Sequence, residues 1–245
     1  MSDVQLLLLA VMLPFAGAAG VMISGRWPNL REAVTLLTAA SVCLVVLRIY
    51  SRFQDGALLA VDIAEPMPGL TIRFEVEPLG MLFALVASIL WLITSIYAIG
   101  YMRAHHEQNQ TRFYALFAIA IGSTLGAAFA GNLLSLFLFY ELLTVITYPL
   151  VAHEGTDEAR RGARTYIGIL LTTSIALQLL AIMITYIITG SLDFREGGIL
   201  AGKLDPAWAG LLYALFLFGI AKAAVMPLHR WLPAAMVAPT PVSAL

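Results

Sequence analysis

Charged residues and cysteines are scarce in this sequence. Of the 245 residues, 12% are Asp, Glu, Lys or Arg and 60% are hydrophobic, whereas an average soluble chain carries about 25% charged residues. A chain this apolar cannot cover its surface in water, and its composition therefore indicates a protein of the lipid bilayer. The net charge of -1 provides no general attraction to nucleic acid. The single cysteine, Cys43, excludes an internal disulfide bond.

Motifs of ordinary enzyme chemistry are also absent. The sequence has no phosphate-binding glycine loop, no His and Cys residues at metal-binding spacing and no nucleophile elbow. His105 and His106 adjoin Glu107, but this short polar run is predicted to be a solvated surface loop. The sequence therefore predicts no catalytic residues, no metal site and no cofactor.

Long apolar stretches recur along the chain. A helix needs about 20 mostly apolar residues to cross a hydrocarbon core about 30 Å thick. The first stretch is followed by "SGRWPNLRE" and not by a small-residue cleavage site, which predicts a retained helix and not a signal peptide. The sequence predicts an all-α polytopic membrane protein with seven transmembrane helices, near residues 4–23, 30–50, 78–101, 113–130, 132–152, 163–189 and 207–227.

The segment between the second and third spans has a different pattern. "GLTIRFEVE" alternates apolar and polar residues with the period of a half-buried strand. "ALLAVDI" and the turn-like "EPMPG" precede it. Together they predict a small β-hairpin with a structural role on the outer surface.

The basic residues of the loops predict the orientation, because cytoplasmic loops carry an excess of Lys and Arg. The loops after the second and sixth spans hold four basic residues diluted by eight acidic ones. The loops after the first, third and fifth spans are richer in arginine and are predicted to be cytoplasmic, which places the N-terminus outside: they hold Arg26, Arg31, Arg103, Arg112, Arg160, Arg161 and Arg164.

Two ionisable residues fall well inside predicted spans. Glu141 lies in "LSLFLFYELLTVITYPLV" and Lys222 in "LFGIAKAAVMPLH", whereas Arg48 is near a span end and can reach the headgroups. A charge at the bilayer centre costs about 2.5–3.5 kcal/mol on insertion scales, so such residues face a protein interior or a hydrated cavity. One interpretation is a static buried ion pair or satisfied polar neighbours, and the other is a path for protons or ions.

Neighbouring residues favour a path. Thr144 and Tyr148 lie three and seven residues after Glu141, on the same helix face. Pro227 lacks the N–H that would bond the Ala223 carbonyl, which predicts a broken helix beside Lys222, and transporters place ion sites at such breaks. His229 follows the break and suits a proton relay, although a helix-end histidine bonded to a carbonyl is an equal alternative.

Two of these runs resemble a known family. "KAAVMPLHRWLPAAMVAPTPVSAL" and "FLFYELLTVITYPLV", together with "YAIGYM", are similar to the antiporter-like membrane subunits of respiratory complex I, Mrp-type sodium/proton antiporters and membrane-bound hydrogenases. In that family the glutamate of the fifth helix and the lysine of the broken seventh helix carry protons. The resemblance assigns these roles to Glu141 and Lys222 and places the family's histidine at His229. Ala234 departs from the pattern, because many relatives have an acidic residue there.

The resemblance also implies an organisation. Residues 1–112 correspond to the N-terminal helices 1–3 with the outer hairpin, and residues 113–245 correspond to an incomplete first antiporter-like repeat, helices 4–8. Family members have about fourteen core helices in two inverted repeats, whereas this sequence stops at the start of the eighth helix. The chain is therefore expected to be a fragment or one half of a split subunit.

The function expected from the resemblance is translocation of protons, or of sodium in exchange for protons, within a multisubunit complex of the cell membrane. The expected partners are other membrane subunits, the bilayer and the transported ion, without nucleic acid. The subunit would serve an antiporter or a proton-pumping oxidoreductase. Two alternatives stay open: a non-pumping scaffold subunit, and a subunit for sodium- or bicarbonate-linked uptake.

Overall fold

Apolar helices make up most of the computed structural model, which describes residues 2–67 and 69–243. Within these residues, six helices are long and apolar enough to cross a membrane. They confirm the predicted polytopic fold and are α1 (Asp3–Ile23), α2 (Pro28–Gln54), α3 (Pro78–Ala104), α4 (Gln110–Ala128), α5 (Leu133–Val151) and α6 (Asp157–Thr189).

The C-terminal part is less regular. A shorter apolar helix, α7 (Pro206–Gly219), is followed by two single 3-10 turns, Ala221–Ala223 and Leu228–Arg230. The helices α8 (Trp231–Ala235) and α9 (Thr240–Ser243) complete the described chain. The predicted eighth span begins at α9, and its Ala244 and Leu245 lie outside the described residues.

The starts of the helices follow local chemistry. Proline is the first residue of α2, α3 and α7, where its missing N–H leaves no helical bond unmade. Ser2 and Gln5 form a reciprocal capping box at α1. The Thr156 hydroxyl accepts the Ala159 N–H at 3.1 Å at α6, and Asp157 and Glu158 in the first turn complement the helix dipole. These residues fix where α1, α2, α3, α6 and α7 begin.

Close helix packing depends on small residues. The main core lies among α1–α4, where α1 packs on both α2 and α4. A Cβ added at Gly80 of α3 would lie 2.1 Å from the Ala128 carbonyl oxygen, and one at Gly17 of α1 would lie 2.4 Å from the Thr38 side chain. Such contacts are typical of membrane helices, because close backbone approach maximises dispersion attraction.

The predicted hairpin is confirmed. Strands β1 (Ala60–Met67) and β2 (Leu70–Glu75) pair antiparallel. Its predicted turn includes Pro68, which lies outside the described residues. Phe74 of β2 is fully buried and packs against Phe139 of α5 with ring centroids 5.3 Å apart. The hairpin is thus fastened to the helix that carries Glu141.

Hydrogen bonds between main-chain groups and side chains extend this attachment. The Arg73 N–H donates to the Ser135 hydroxyl at 2.8 Å, and the Asn132 amide donates to the Thr71 carbonyl at 2.8 Å. Asn132 is also the N-cap of α5, where its side chain accepts the Ser135 N–H at 2.8 Å. The strand and the start of α5 therefore share one hydrogen-bonded joint.

The connections separate into two ends of the bundle. At one end the Thr111 hydroxyl donates to the Gly25 carbonyl, and Arg112 donates to the His153 carbonyl. At the other end Arg52 pairs with Asp3, and the Leu133 N–H donates to the Leu192 carbonyl. The loops after α1, α3 and α5 thus share one end, as the predicted topology requires.

His153, in the turn between α5 and α6, was not singled out from the sequence. The residue is 4% exposed. Phe113 lies edge-on to its ring with centroids 5.7 Å apart. Burial lowers the pKa of the imidazole, and the nearby Arg112 lowers it further. A histidine shifted below its ordinary pKa of about 6.5 is neutral near pH 7, so it adds no positive charge to this end.

Two charges at the start of α2 are buried, although the sequence assigned Arg31 to a cytoplasmic loop. The side chains of Arg31 and Glu32 are each 7% exposed and lie 3.8 Å apart. Arg103 of α3 makes two hydrogen bonds to the Glu32 carboxylate. Arg31 bonds Gln110 and Thr111 and lies 5.3 Å from the centroid of the Tyr114 ring. These residues form a charged cluster that joins α2, α3 and α4.

Candidate functional site

Glu141 occupies the middle of α5 with few polar contacts. Both carboxylate oxygens are inaccessible, and neither has a hydrogen-bond partner among the described residues. The Ser174 hydroxyl of α6 lies beside the carboxylate and donates to the Leu171 carbonyl at 3.2 Å. A buried carboxylate without hydrogen bonds is costly, so its place in α5 requires an explanation such as a catalytic role or a bound water or ion.

Helix α6 becomes irregular at Ser174. Residues Ser174–Leu179 of α6 form a π-helical segment, a feature found frequently at functional sites. Gln178 in this segment is 2% exposed, and its Oε1 has no hydrogen-bond partner among the described residues. A Cβ added at Gly219 would lie 2.6 Å from the Gln178 backbone nitrogen. The end of α7 therefore packs directly on the π-helical backbone.

The predicted break in the seventh helix is present, but it begins earlier than expected. Regular helix ends at Gly219, eight residues before Pro227, and Ala224 is left-handed with φ 52°. The missing N–H of Pro227 is therefore not what ends α7. Lys222 lies within the broken segment, and the Trp231 indole donates to the Ala221 carbonyl at 2.8 Å. The indole satisfies a carbonyl in the broken segment.

Lys222 is held by the residue that precedes Glu141. Its Nζ donates to the Tyr140 carbonyl at 2.7 Å and lies 3.9 Å from the centroid of the Tyr140 ring. The Lys222 backbone N–H donates to the Tyr140 hydroxyl at 3.3 Å. The Thr144 hydroxyl donates to the same Tyr140 carbonyl at 2.9 Å. The carbonyl, the ring face and the hydroxyl of Tyr140 thus all contact Lys222.

A direct ion pair between Lys222 and Glu141, one of the two interpretations left open by the sequence, is not formed. No nitrogen–oxygen distance of 4.0 Å or less joins Lys222 to Glu141 within the described part of the chain. Lys222 is nevertheless held at Tyr140, the residue directly before Glu141. The two charges are therefore neighbours without direct contact.

A cavity of about 280 Å³ adjoins Lys222. Thr147 and Tyr166 line it, and their hydroxyl oxygens are 2.6 Å apart. Trp231 also lines the cavity and packs edge-on against Tyr166 with centroids 5.6 Å apart. This space is large enough for several water molecules. Lys222 thus adjoins a mostly apolar space that also holds the paired hydroxyls of Thr147 and Tyr166.

The remaining predicted residues are distributed around this centre. Thr144 is fully buried, but its hydroxyl bonds the Tyr140 carbonyl and not Glu141. Tyr148 packs against the apolar cluster that includes Val151 and Tyr166. His229 is exposed and lines a separate open cavity of about 440 Å³. The structure therefore brings Lys222 and Thr144 together at Tyr140 and does not place His229 in the Lys222 cavity.

Sequence reasoning missed several contacting residues. Tyr140, Thr147 and Tyr166 carry hydroxyl groups within apolar spans, and a buried tyrosine usually finds a hydrogen-bond partner. Trp231 carries a donor nine residues after Lys222. The position of Tyr140, directly before the intramembrane glutamate, was the strongest available signal.

Two family models match this chain. One describes the transmembrane part of NADH:quinone oxidoreductases and Mrp antiporters and matches residues 130–245. The other describes the N-terminus of chain 5 of NADH-ubiquinone oxidoreductase (complex I) and matches residues 68–114. The chain belongs to this family of membrane subunits. Glu141 and Lys222 lie within the residues of the first match.

Curated relatives agree with this assignment. The A/B component of a probable K(+)/H(+) antiporter of Rhizobium meliloti is 32% identical over 250 residues, which cover 98% of this chain and 24% of that protein. NAD(P)H-quinone oxidoreductase chain 5 of Synechocystis is 31% identical over 260 residues, covering 98% of this chain and 38% of that protein. The chain thus spans less than two fifths of these relatives.

A solved structure confirms the fold. One chain of the membrane-bound sulfane sulfur reductase, an archaeal respiratory membrane complex, superposes with a TM-score of 0.84 at 23% identity. The match covers 99% of this chain and 49% of that one. The agreement in fold thus extends over nearly the full length of the chain.

Proposed function

We propose that this chain forms part of a proton-translocating subunit in which Lys222 binds and releases the proton and Glu141 controls its affinity. The main support is the position of Lys222, in a helix break beside a cavity and near the Glu141 carboxylate, which has no hydrogen-bond partner among the described residues. The proton affinity of a buried lysine depends on a nearby carboxylate, because burial disfavours the charged ammonium and the neighbouring negative charge favours it.

Lys222 has two alternative partners on consecutive residues of α5. When the ammonium lies against Glu141, the carboxylate stabilises the charged form. When it lies on Tyr140, as in this structure, that stabilisation is weaker and proton release is easier. A proton then passes to the cavity lined by Thr147 and Tyr166. Alternation between the two positions provides uptake and release.

The setting of this activity is a multisubunit complex of the cell membrane. The names of the relatives support it, because one is part of an antiporter and another is a quinone oxidoreductase chain. The partners are then other membrane subunits, and the transported ion is the proton, alone or in exchange for sodium or another alkali cation. His229 and Pro227 border the break that this movement uses.

Replacing Glu141 with glutamine tests the proposal. The amide keeps the size of the side chain but removes the charge that attracts Lys222. We expect proton flux per assembled complex to fall about tenfold or more, because one partner of the alternation is lost. The measurement is the fluorescence of a pH indicator inside vesicles that contain the reconstituted complex.

A matched control uses another acidic residue. Glu154 is exposed in the turn after α5, and we expect Glu154→Gln to leave flux unchanged. Normal yield of the Glu141→Gln complex is required, since a misassembled complex also loses flux. Wild-type flux in a fully assembled Glu141→Gln complex would refute the assigned role.

Orientation can be tested by labelling. Gln108, Glu158 and Asp62 all have exposed side chains, and each can be replaced singly by cysteine after Cys43 is removed. We expect cysteines at residues 108 and 158 to resist an impermeant thiol reagent in intact cells and one at residue 62 to react. Lysed cells provide the positive control for all three positions. The reverse pattern would place the N-terminus inside.

A further inference from the structure

We infer that Tyr140 is a positioning residue that holds the charged Lys222 side chain beside, but not on, the Glu141 carboxylate. The inference rests on the proposed function, because a positioning role has meaning only if Lys222 exchanges protons. It deepens that function by naming the group that determines where the ammonium rests.

The contacts of Tyr140 are suited to a cation. Its carbonyl accepts from Nζ at 2.7 Å, and the face of its ring lies 3.9 Å from Nζ, well within the range of about 6 Å for cation–π attraction. This attraction is stronger in a desolvated site than at a surface. The ring and the carbonyl therefore stabilise a charged ammonium in this position more than they would stabilise a neutral amine.

The hydroxyl of Tyr140 has a different task. It accepts the backbone N–H of Lys222 at 3.3 Å, so it holds the broken segment against α5 and not the charge itself. Loss of the hydroxyl and loss of the ring are therefore separable. The ring acts on the ammonium, and the hydroxyl acts on the backbone.

The adjacency of Tyr140 and Glu141 makes the transfer short. Consecutive residues of an α-helix project about 100° apart around its axis. In the inferred transfer, a side-chain rotation of Lys222 moves Nζ from Tyr140 towards Glu141. The titratable groups that face Lys222 within the described part of the chain are Tyr140 and Glu141 from α5 and Tyr166 from α6.

The test compares Tyr140→Leu with Tyr140→Phe in the full complex reconstituted in vesicles. Leucine removes the ring and phenylalanine keeps it, while the main-chain carbonyl remains in both. We expect Tyr140→Leu to move the alkaline limb of the flux–pH profile down by about one pH unit, because the charged lysine loses its cation–π partner. Tyr140→Phe should keep the wild-type limb.

A control and a second variant complete the design. Tyr97 lies on α3 with 51% of its surface exposed, and Tyr97→Leu should leave the profile unchanged. If Tyr140→Leu does not assemble, Tyr140→Trp decides, because tryptophan is the strongest cation–π partner. It should move the limb up, and an unmoved or lowered limb would overturn the inference.

The outcomes also separate the inference from the proposed function. An assembled Tyr140→Leu complex with the wild-type limb overturns the inference alone, provided that Lys222→Ala abolishes flux. Wild-type flux in Lys222→Ala overturns both, because Tyr140 would then have no proton carrier to position. A lowered limb in Tyr140→Leu together with the wild-type limb in Tyr140→Phe supports the inference.

Discussion

Replacement of Lys222 with alanine is expected to abolish most proton flux, by a factor of ten or more. The variant removes the protonatable group from a helix break that also borders a cavity. No other lysine lies in a predicted span of this chain. Flux per assembled complex in vesicles is the measurement, with the yield of complex determined on the same preparation.

The arginine variant distinguishes a proton-carrying lysine from a structural one. Arginine keeps the positive charge and can stack on the Tyr140 ring, but its guanidinium does not release a proton near neutral pH. We expect Lys222→Arg to assemble normally and to lose almost as much flux as the alanine variant. An active arginine variant beside a poorly assembled alanine variant would instead mean that Lys222 is structural.

The second large effect is expected at Glu32. Alanine at this position leaves Arg31, whose side chain is only 7% exposed, without its carboxylate. Removing one partner of a buried charged pair typically costs about 3–5 kcal/mol, because the other charge stays buried and uncompensated. Arg103 is half-exposed and can turn to solvent, so the destabilisation arises mainly from Arg31. We expect Glu32→Ala to lower the free energy of unfolding by an amount near the lower end of this range, about 3 kcal/mol.

Asp3 provides a matched control for Glu32. Its ion pair with Arg52 joins α1 to α2, but the two side chains are 30% and 44% exposed. Exposed pairs contribute about 0–1 kcal/mol, so Asp3→Ala should have a small effect. Thermal unfolding of the purified complex compares the two variants. Equally small losses of thermal stability in the two variants would show that water screens the charges around Glu32.

The architecture was predictable because hydrocarbon thickness and strand alternation leave regular patterns. Apolar length located the spans, and the period of two in "GLTIRFEVE" located β2. The end of α7 was not predictable in the same way. Proline suggested a break near Pro227, but the helix ends at Gly219, where α7 packs on the backbone around Gln178. That contact depends on a distant helix.

Only the charged residues of the site could be predicted, because a charge inside a membrane is energetically costly. This rule singled out Glu141 and Lys222. It gave no information on Tyr140, because two of its three contacts use its carbonyl and its ring face. Backbone carbonyls are present in every residue, and an aromatic ring in an apolar span is usually a packing element. Arg31 was assigned to a loop for a related reason, since its hydrogen-bond partners Gln110 and Thr111 come from α4.

The attachment of the hairpin to α5 restricts how the site can move. Asn132 and Ser135 bond both their own helix and strand β2, so a shift of α5 along its axis would break several hydrogen bonds at once. Rotation of the Lys222 side chain breaks none of them. Side-chain rotations take nanoseconds or less when unhindered, whereas helix shifts take microseconds to milliseconds. The proposed movement of Lys222 therefore belongs to the faster, side-chain timescale and leaves α5 anchored to the hairpin.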